Sequence, residues 1–272
     1  MRLGMLLRNS GPLSTAAYIK GCARAAEDAG LDDLWVIDHI AIPPNDAEGS
    51  GGRYIDPLAT LAFAAGVTER IGLGVSVLVI PYRPALPTAK WVASIQELSQ
   101  GRLTLGVGAG WMAAEFTAAG VPREQRGRIT DDTLAFLHDC FALDVVSLHG
   151  QSFIFSPRPP RPPILVGGSG EHAMRRIVRY GDGWIPMTGA VDKLREPIAA
   201  LTADLAAEGK PAPVVIPLTR LDLGDSERAA AELAALAAIG VTGISHAECY
   251  DSVAAFAAAA AQLLEVRRRA GL

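Results

Sequence analysis

Asp38 and His39 close the apolar run Leu34-Trp35-Val36-Ile37, and no other pair in the chain has types and spacing better suited to chemistry. An imidazole titrates near neutral pH, so it can take or give a proton, and a carboxylate beside it can orient it. The apolar run lies between two helical patterns, as a strand buried on both faces of a parallel sheet does. Parallel α/β folds place their chemistry at the carboxyl ends of such strands. A structural reading competes: a capping aspartate and a half-buried histidine that pin the loop entered at Pro43-Pro44-Asn45-Asp46. The run alone leaves both open.

Three other segments could meet a ligand. Gly106-Val107-Gly108-Ala109-Gly110-Trp111 is not the dinucleotide fingerprint, which needs glycine where Trp111 stands, but its glycines admit close approach to the backbone. Gly167-Gly168-Ser169-Gly170 opens a helix, where free N–H groups and a hydroxyl form a phosphate site; an N-cap at Ser169 is the plainer alternative. In Leu73-Gly74-Val75-Ser76-Val77-Leu78-Val79, Gly74 and Ser76 interrupt a buried strand and suggest a bulge or a ligand contact. Trp184, in Gly181-Asp182-Gly183-Trp184, either stacks near a ring or fills the core. His138 reads as structural, His246 ends the last strand and could share a cavity with His39, and no histidine pair has metal-ligand spacing. The chain has no GxSxG elbow, P-loop or SxxK, which argues against serine hydrolase and NTPase chemistry.

The elements that must position these residues alternate almost to the end of the chain. Strand patterns occupy Arg2–Leu7, Asp33–Ile37, Ile71–Val79, Leu103–Val107, Pro163–Val166, Gly183–Pro186, Val214–Leu221 and Val241–Ser245. Helical patterns lie between them, several closed by a glycine fit for a left-handed cap, such as Gly30 and Gly240. Eight strands separated by helices predict an α/β fold, a (β/α)8 TIM barrel, forming a single domain over residues 1–272. Between strands 4 and 5, Ala113–Pro162 reads as an insertion over the catalytic face, containing a hairpin-like piece at Val146–Phe155. A doubly wound open sheet is the rival, disfavoured because an edge strand should be more polar than any of these.

With 272 residues, 50% of them hydrophobic, the chain can bury a substantial core. A net charge of −4 argues against nucleic acid or an anionic membrane as a partner. Cys22, Cys140 and Cys249 are far apart and read as reduced thiols of a cytoplasmic protein. The run Met1–Leu7 is short for a signal peptide, and no apolar run is long enough to span a bilayer.

Taken in order, these segments resemble the luciferase-like monooxygenase superfamily, particularly its oxidoreductases dependent on coenzyme F420, a deazaflavin. The resemblance runs through Trp35–His39, Asp56–Leu61, Thr68–Ile71, Pro81-Tyr82-Arg83-Pro84, Glu97–Leu103, Gly106–Trp111, Arg126-Gly127-Arg128, Pro163–Gly168 and Gly181–Trp184. It implies a barrel that binds a flavin-type ring at the strands' carboxyl ends. Ser76-Val77 falls at a bulge with a non-prolyl cis peptide behind the ring, and Gly167, Gly168 and Ser169 fall at the cofactor phosphate. His39 falls beside the ring, with Asp38, Gly108, Ala109, Gly110 and Trp184 completing the cofactor pocket. One position departs from the F420-dependent sugar-phosphate dehydrogenases: their glutamate after the second glycine is Ala109 here, which argues against that reaction. Glu115, slightly further along, could reach the cavity, although a solvated helix face is its expected place.

The expected activity is hydride transfer between F420 and a small-molecule substrate, with His39 as the proton-handling residue, no metal, and a homodimeric assembly. An FMNH2-dependent monooxygenase, with FMN as cofactor, is the alternative on the same scaffold. From other classes, a cofactor-free barrel lyase or isomerase using His39 as base, or a non-catalytic flavin-binding protein, fits the barrel as well.

Overall fold

The computed structural model describes all residues from Met1 to Leu272. Nine strands form one curled parallel sheet: β1 (Arg2–Leu6), β2 (Asp33–Val36), β3 (Gly72–Val79), β4 (Leu103–Gly108), β7 (Ile164–Gly167), β8 (Gly183–Ile185), β9 (Val214–Val215), β10 (Leu218–Thr219) and β11 (Gly243–His246). Their order across the sheet is β10-β11-β1-β2-β3-β4-β7-β8-β9. The two strands at its ends, β9 and β10, are successive in the chain, separated by Ile216-Pro217. Thr242 N donates to Val215 O at 3.0 Å and Ser245 N to Pro217 O at 2.9 Å, which brings the sheet round on itself. Every expected strand is present. Val214–Leu221 forms two pieces, not one, because Pro217 has no N–H for the ladder.

Helices α1 (Ala16–Ala29), α2 (Pro57–Ala65), α3 (Ala85–Leu98), α6 (Glu171–Tyr180), α7 (Val191–Ala207) and α8 (Ser226–Ala238) connect the strands, and α9 (Val253–Arg269) follows the last of them. Local sequence fixes their ends: Thr15 caps α1 by accepting the Tyr18 amide, Gly30 closes it at φ 88°, and Asp56 caps α2 with Pro57 in the first helical position. Most of the core lies between helices and sheet. A second, smaller core fills the inside of the curl: Trp35, Leu165, Ile185 and Ile216. Trp35 is fully buried there because Gly4 and Gly74, on the strands either side of β2, have no side chains; a Cβ on either would lie 2.5 or 2.4 Å from the indole. Leu6 and Val77 pack on this plug and remain partly exposed.

The segment between β4 and β7 departs from expectation. Helix α4 (Ala113–Ala118) reaches the site described below, and α5 (Arg126–Ala142) joins the outer layer beside α3 and α6. The hairpin β5–β6 (Val145–Leu148 with Gln151–Ile154) does not cover the strands' carboxyl ends. It packs on the outer flank: Phe155 meets Phe141 of α5 at 6.3 Å, and Lys90 of α3 lies 4.4 Å above the Phe155 ring. Gln96 Nε2, further along α3, donates to Pro160 O at 3.0 Å and leads the chain down to the start of β7. Burial of Phe155 and Val146 decides this placement.

Candidate functional site

The carboxyl ends of β2, β3 and β4 meet around His39. Asn9, just past β1, aligns the end of β2: its side chain donates to Ile37 O and Ile55 O, both at 2.8 Å, and accepts Ile37 N at 3.2 Å. Asp38 turns into the protein and His39 stays at the surface of the mouth, with its side chain 20% exposed. The imidazole stands edge-on to Tyr54, 5.0 Å between ring centres, and to Trp111 at 6.5 Å. Trp111 itself is 68% exposed, and Ile40, the residue after His39, 43%.

The sequence reading misplaced Glu115. It is buried at 1% exposure, and α4 aims its carboxylate at the β2 corner. Oε1 accepts the amides of Ile40 at 2.6 Å and Ala41 at 3.0 Å; Oε2 lies 3.1 Å from His39 Nδ1 and accepts the Tyr82 hydroxyl at 2.9 Å. Burial pushes the Glu115 carboxyl up, but the Ala41 and Ile40 amides and His39 outweigh it and hold it below the usual range. Burial and Glu115 together push the Tyr82 phenol up, so it stays a donor. A six-residue helix is too short for a hydrophobic period, so periodicity does not reveal which face Glu115 occupies.

Asp38 is also reassigned. Both its oxygens hold the Arg83 guanidinium and Oδ2 takes the Val79 amide, so the buried carboxylate serves the corner and not the mouth. Burial works against the Arg83 charge, and Asp38 and Asp56 more than offset it, raising the guanidinium above its ordinary value. Asn9 and Arg83 were not recognised as site residues. The signal available for Arg83 was an arginine between two prolines directly after a buried strand.

The β3 register breaks between Val75 and Leu78, where the Ser76–Val77 peptide is cis, as the resemblance implied. Ser76 Oγ is closed inside the protein without a hydrogen-bond partner, so it does not line the mouth. Val77 does: its methyls fill the space left by Gly108 and Gly167, whose added Cβ atoms would come within 2.6 and 2.7 Å of them. Ala109 and Gly110 are half-buried at the end of β4, and Gly110 takes φ 80° against Phe116.

At the end of β7, Gly168, Ser169 and Gly170 are exposed. The cap of α6 is Gly170 and not Ser169, and no side chain accepts the helix's first N–H groups. A Cβ on Gly170 would stand in open space, and one on Gly168 would meet only the Ala173 methyl at 3.9 Å, so the turn has room for an anionic group. Trp184 does not face the mouth. It is buried, and its Nε1 donates to Gly168 O at 2.7 Å, which fixes the turn from beneath.

His246 is separate from His39. It is fully buried, its Nδ1 accepts the Leu221 amide at 3.3 Å and its Nε2 faces Glu248 at 3.4 Å. A cavity of about 550 Å³ lies at the opposite end of the strands, lined by Arg2, Asp32, Gly72, Arg102 and Thr104 among others. Its charged groups are mostly paired with one another or with backbone, as in Arg2–Asp33 and the four contacts of Arg102 to Thr68, Ile71 and Ala65, so they support the fold. No helix is long and apolar enough to cross a membrane.

Comparison with known proteins agrees with this arrangement. An uncharacterized protein of Mycobacterium tuberculosis is 31% identical over 265 residues, covering 90% of each chain. The F420-dependent hydroxymycolic acid dehydrogenase of the same organism is 31% identical over 199 residues, 69% of this chain and 53% of the relative. The FMNH2-dependent dimethylsulfone monooxygenase of Pseudomonas putida is 28% identical over 204 residues, 64% of this chain and 55% of the relative. Among solved structures, the monooxygenase RslO1 of Streptomyces bottropensis superposes with a TM-score of 0.80 at 20% identity, covering 97% of this chain and 98% of that one. An F420-dependent secondary alcohol dehydrogenase in complex with an F420–acetone adduct gives 0.80 at 15% identity, covering 99% and 98%. The family model described as luciferase-like monooxygenase matches residues 1–270, and the chain therefore belongs to that family.

Proposed function

We propose that this protein is an F420-dependent oxidoreductase that transfers a hydride between the deazaflavin and a small organic substrate. The observation that carries the reading is His39, partly exposed at the mouth, with Leu6 and Val77 as an apolar floor over the plug. When bound, the deazaflavin would supply the two-electron exchange, which no side chain of this chain can perform. The residues present fit such a group. Leu6 and Val77 offer a flat apolar surface to a ring, Gly108 and Gly167 keep it clear of side chains, and the turn Gly168–Gly170 at the start of α6 would take the phosphate.

In this reading His39 exchanges the proton that accompanies the hydride, or holds the substrate oxygen. Trp111 and Ile40, exposed next to it, would bound the substrate. The nine strand pieces read as eight staves of a closed (β/α)8 barrel in one domain, with β9 and β10 as halves of the seventh. Phe63, Trp91 and Leu98 expose apolar side chains on α2 and α3, which supports a homodimer, and this reading assigns the protein to the cytoplasm.

The second reading, supported by likeness to the FMNH2-dependent relative, is a flavin monooxygenase using the same mouth. Equilibrium titration of the purified protein with F420 and with FMN separates them. Tighter binding of F420, followed by its reduction on addition of an alcohol, is expected. Tighter FMN binding overturns the F420 assignment.

A further inference from the structure

We infer that Glu115 is a positioning residue that sets the tautomer of His39, leaving Nε2 as a bare proton acceptor at the mouth. The inference deepens the proposed function and rests on His39 handling the proton there. It starts from the accounting of one carboxylate. Oε1 receives two backbone amides, Ile40 at 2.6 Å and Ala41 at 3.0 Å, and Oε2 receives the Tyr82 hydroxyl at 2.9 Å. An ionised carboxylate has lone pairs only, so the fourth neighbour, His39 Nδ1 at 3.1 Å, must bring the hydrogen. In the neutral ring the hydrogen is therefore on Nδ1. Nε2 makes no hydrogen bond within the chain and carries the free lone pair.

The device ties three strand ends to one geometry. Glu115 comes from the helix after β4, Tyr82 from just after β3, and His39, Ile40 and Ala41 from just after β2. Phe116, next to Glu115, packs edge-on against Tyr82 at 5.1 Å and against Gly110, which holds α4 to the corner. Tyr54 and Trp111 then restrict the ring from its other sides.

A bare Nε2 favours a substrate that presents an O–H, and so an alcohol. In the oxidative direction the O–H bond breaks and its proton passes to Nε2. The adjacent C–H bond would break as the carbonyl C=O forms, and a bound oxidised deazaflavin would supply the acceptor for the hydride. Reduction of the carbonyl runs the same transfers in reverse, with the proton returning from Nε2–H. Glu115 never touches the substrate; it keeps Nδ1–H in place while Nε2 gains and loses its proton, and it lies against the charge that the imidazolium carries.

Glu115→Gln tests this with little change of shape. The amide oxygen can still accept Ile40 and Ala41, but the NH2 group now faces His39 and Tyr82 and can only donate. His39 must then accept at Nδ1 and carry its hydrogen on Nε2. Nitrogen NMR of the cofactor-free protein at about pH 9, where an imidazole is neutral, reads the tautomer directly. Expected are Nδ1–H in the wild type, Nε2–H in Glu115→Gln, and recovery of Nδ1–H in Glu115→Asp. An Nε2–H wild type, or a variant with the tautomer unchanged, overturns the positioning role whatever the cofactor is.

Turnover provides the second arm: kcat falls by about 10²–10⁴-fold in Glu115→Gln, the range for losing a correctly held general base, with KM nearly unchanged. A reversed tautomer with kcat intact leaves the Glu115 geometry standing and overturns the proton role of His39. The two failures are therefore distinguishable.

Discussion

Arg83 donates to both oxygens of Asp38, at 2.7 Å from Nη1 and 2.8 Å from Nη2, and so clamps the end of β2 to the turn after β3. A third contact, Nη2 to Asp56 Oδ2 at 2.7 Å, brings in the start of α2. The corner that carries His39 is thus held by a buried ion pair one residue away.

Removing the charge of Asp38 leaves Arg83 buried with only the half-exposed Asp56 as partner. Asp38→Asn is expected to destabilise the fold by about 3–5 kcal/mol, as for other broken buried pairs. The measurement is the urea midpoint at constant m-value, and a loss within about 1 kcal/mol would show that the pair contributes no more than a surface one.

Val77 owes its position to two missing side chains. Gly108→Ala places a methyl 2.6 Å from Val77 Cγ2, and Gly167→Ala one 2.7 Å from Cγ1. Each is expected to cost about 1–3 kcal/mol by overpacking. Adding Val77→Ala to the Gly108→Ala variant should recover most of that cost, because the clash partner is gone. Strict additivity in the double-mutant cycle would refute the contact.

His246 supplies a pH dependence of known sign. Burial lowers its pKa in the folded protein, with Glu248 pulling the other way. The unfolded chain therefore binds the proton more readily, starting near the ordinary value of about 6.5. Its contribution to stability is complete above that pH and is lost as pH falls toward the lowered folded value. Urea midpoints should decline between about pH 7.5 and 5.5, before the carboxylates titrate, and His246→Gln should flatten that slope. Equal slopes in both proteins would rule out His246 as the source.

Much of the fold could be read from the order of apolar runs and glycine stops, because strand and helix periods are local properties. Asp38-His39 at a strand end and the open turn at Gly168–Gly170 were legible for the same reason. Contacts made across the mouth were not. Glu115 meets a histidine 76 residues away, and Asn9 meets Ile37 at a separation of 28. Which side chain of a short element points inward depends on register and curl, and neither leaves a periodic mark. The split of β9 from β10 is a smaller case, decided by a single residue, Pro217.

Trp35 gives the two ends of the molecule separate lives. With the indole filling the axis and Leu165, Ile185 and Ile216 packed around it, an apolar plug separates the charged cavity at the amino ends of the strands from the mouth. The proton proposed for His39 would then exchange with solvent on the mouth side, where Trp111 and Tyr54 flank the ring. Loops at the mouth can therefore diverge to suit a new substrate while the opposite end, with its arginines and aspartates, continues to supply stability alone.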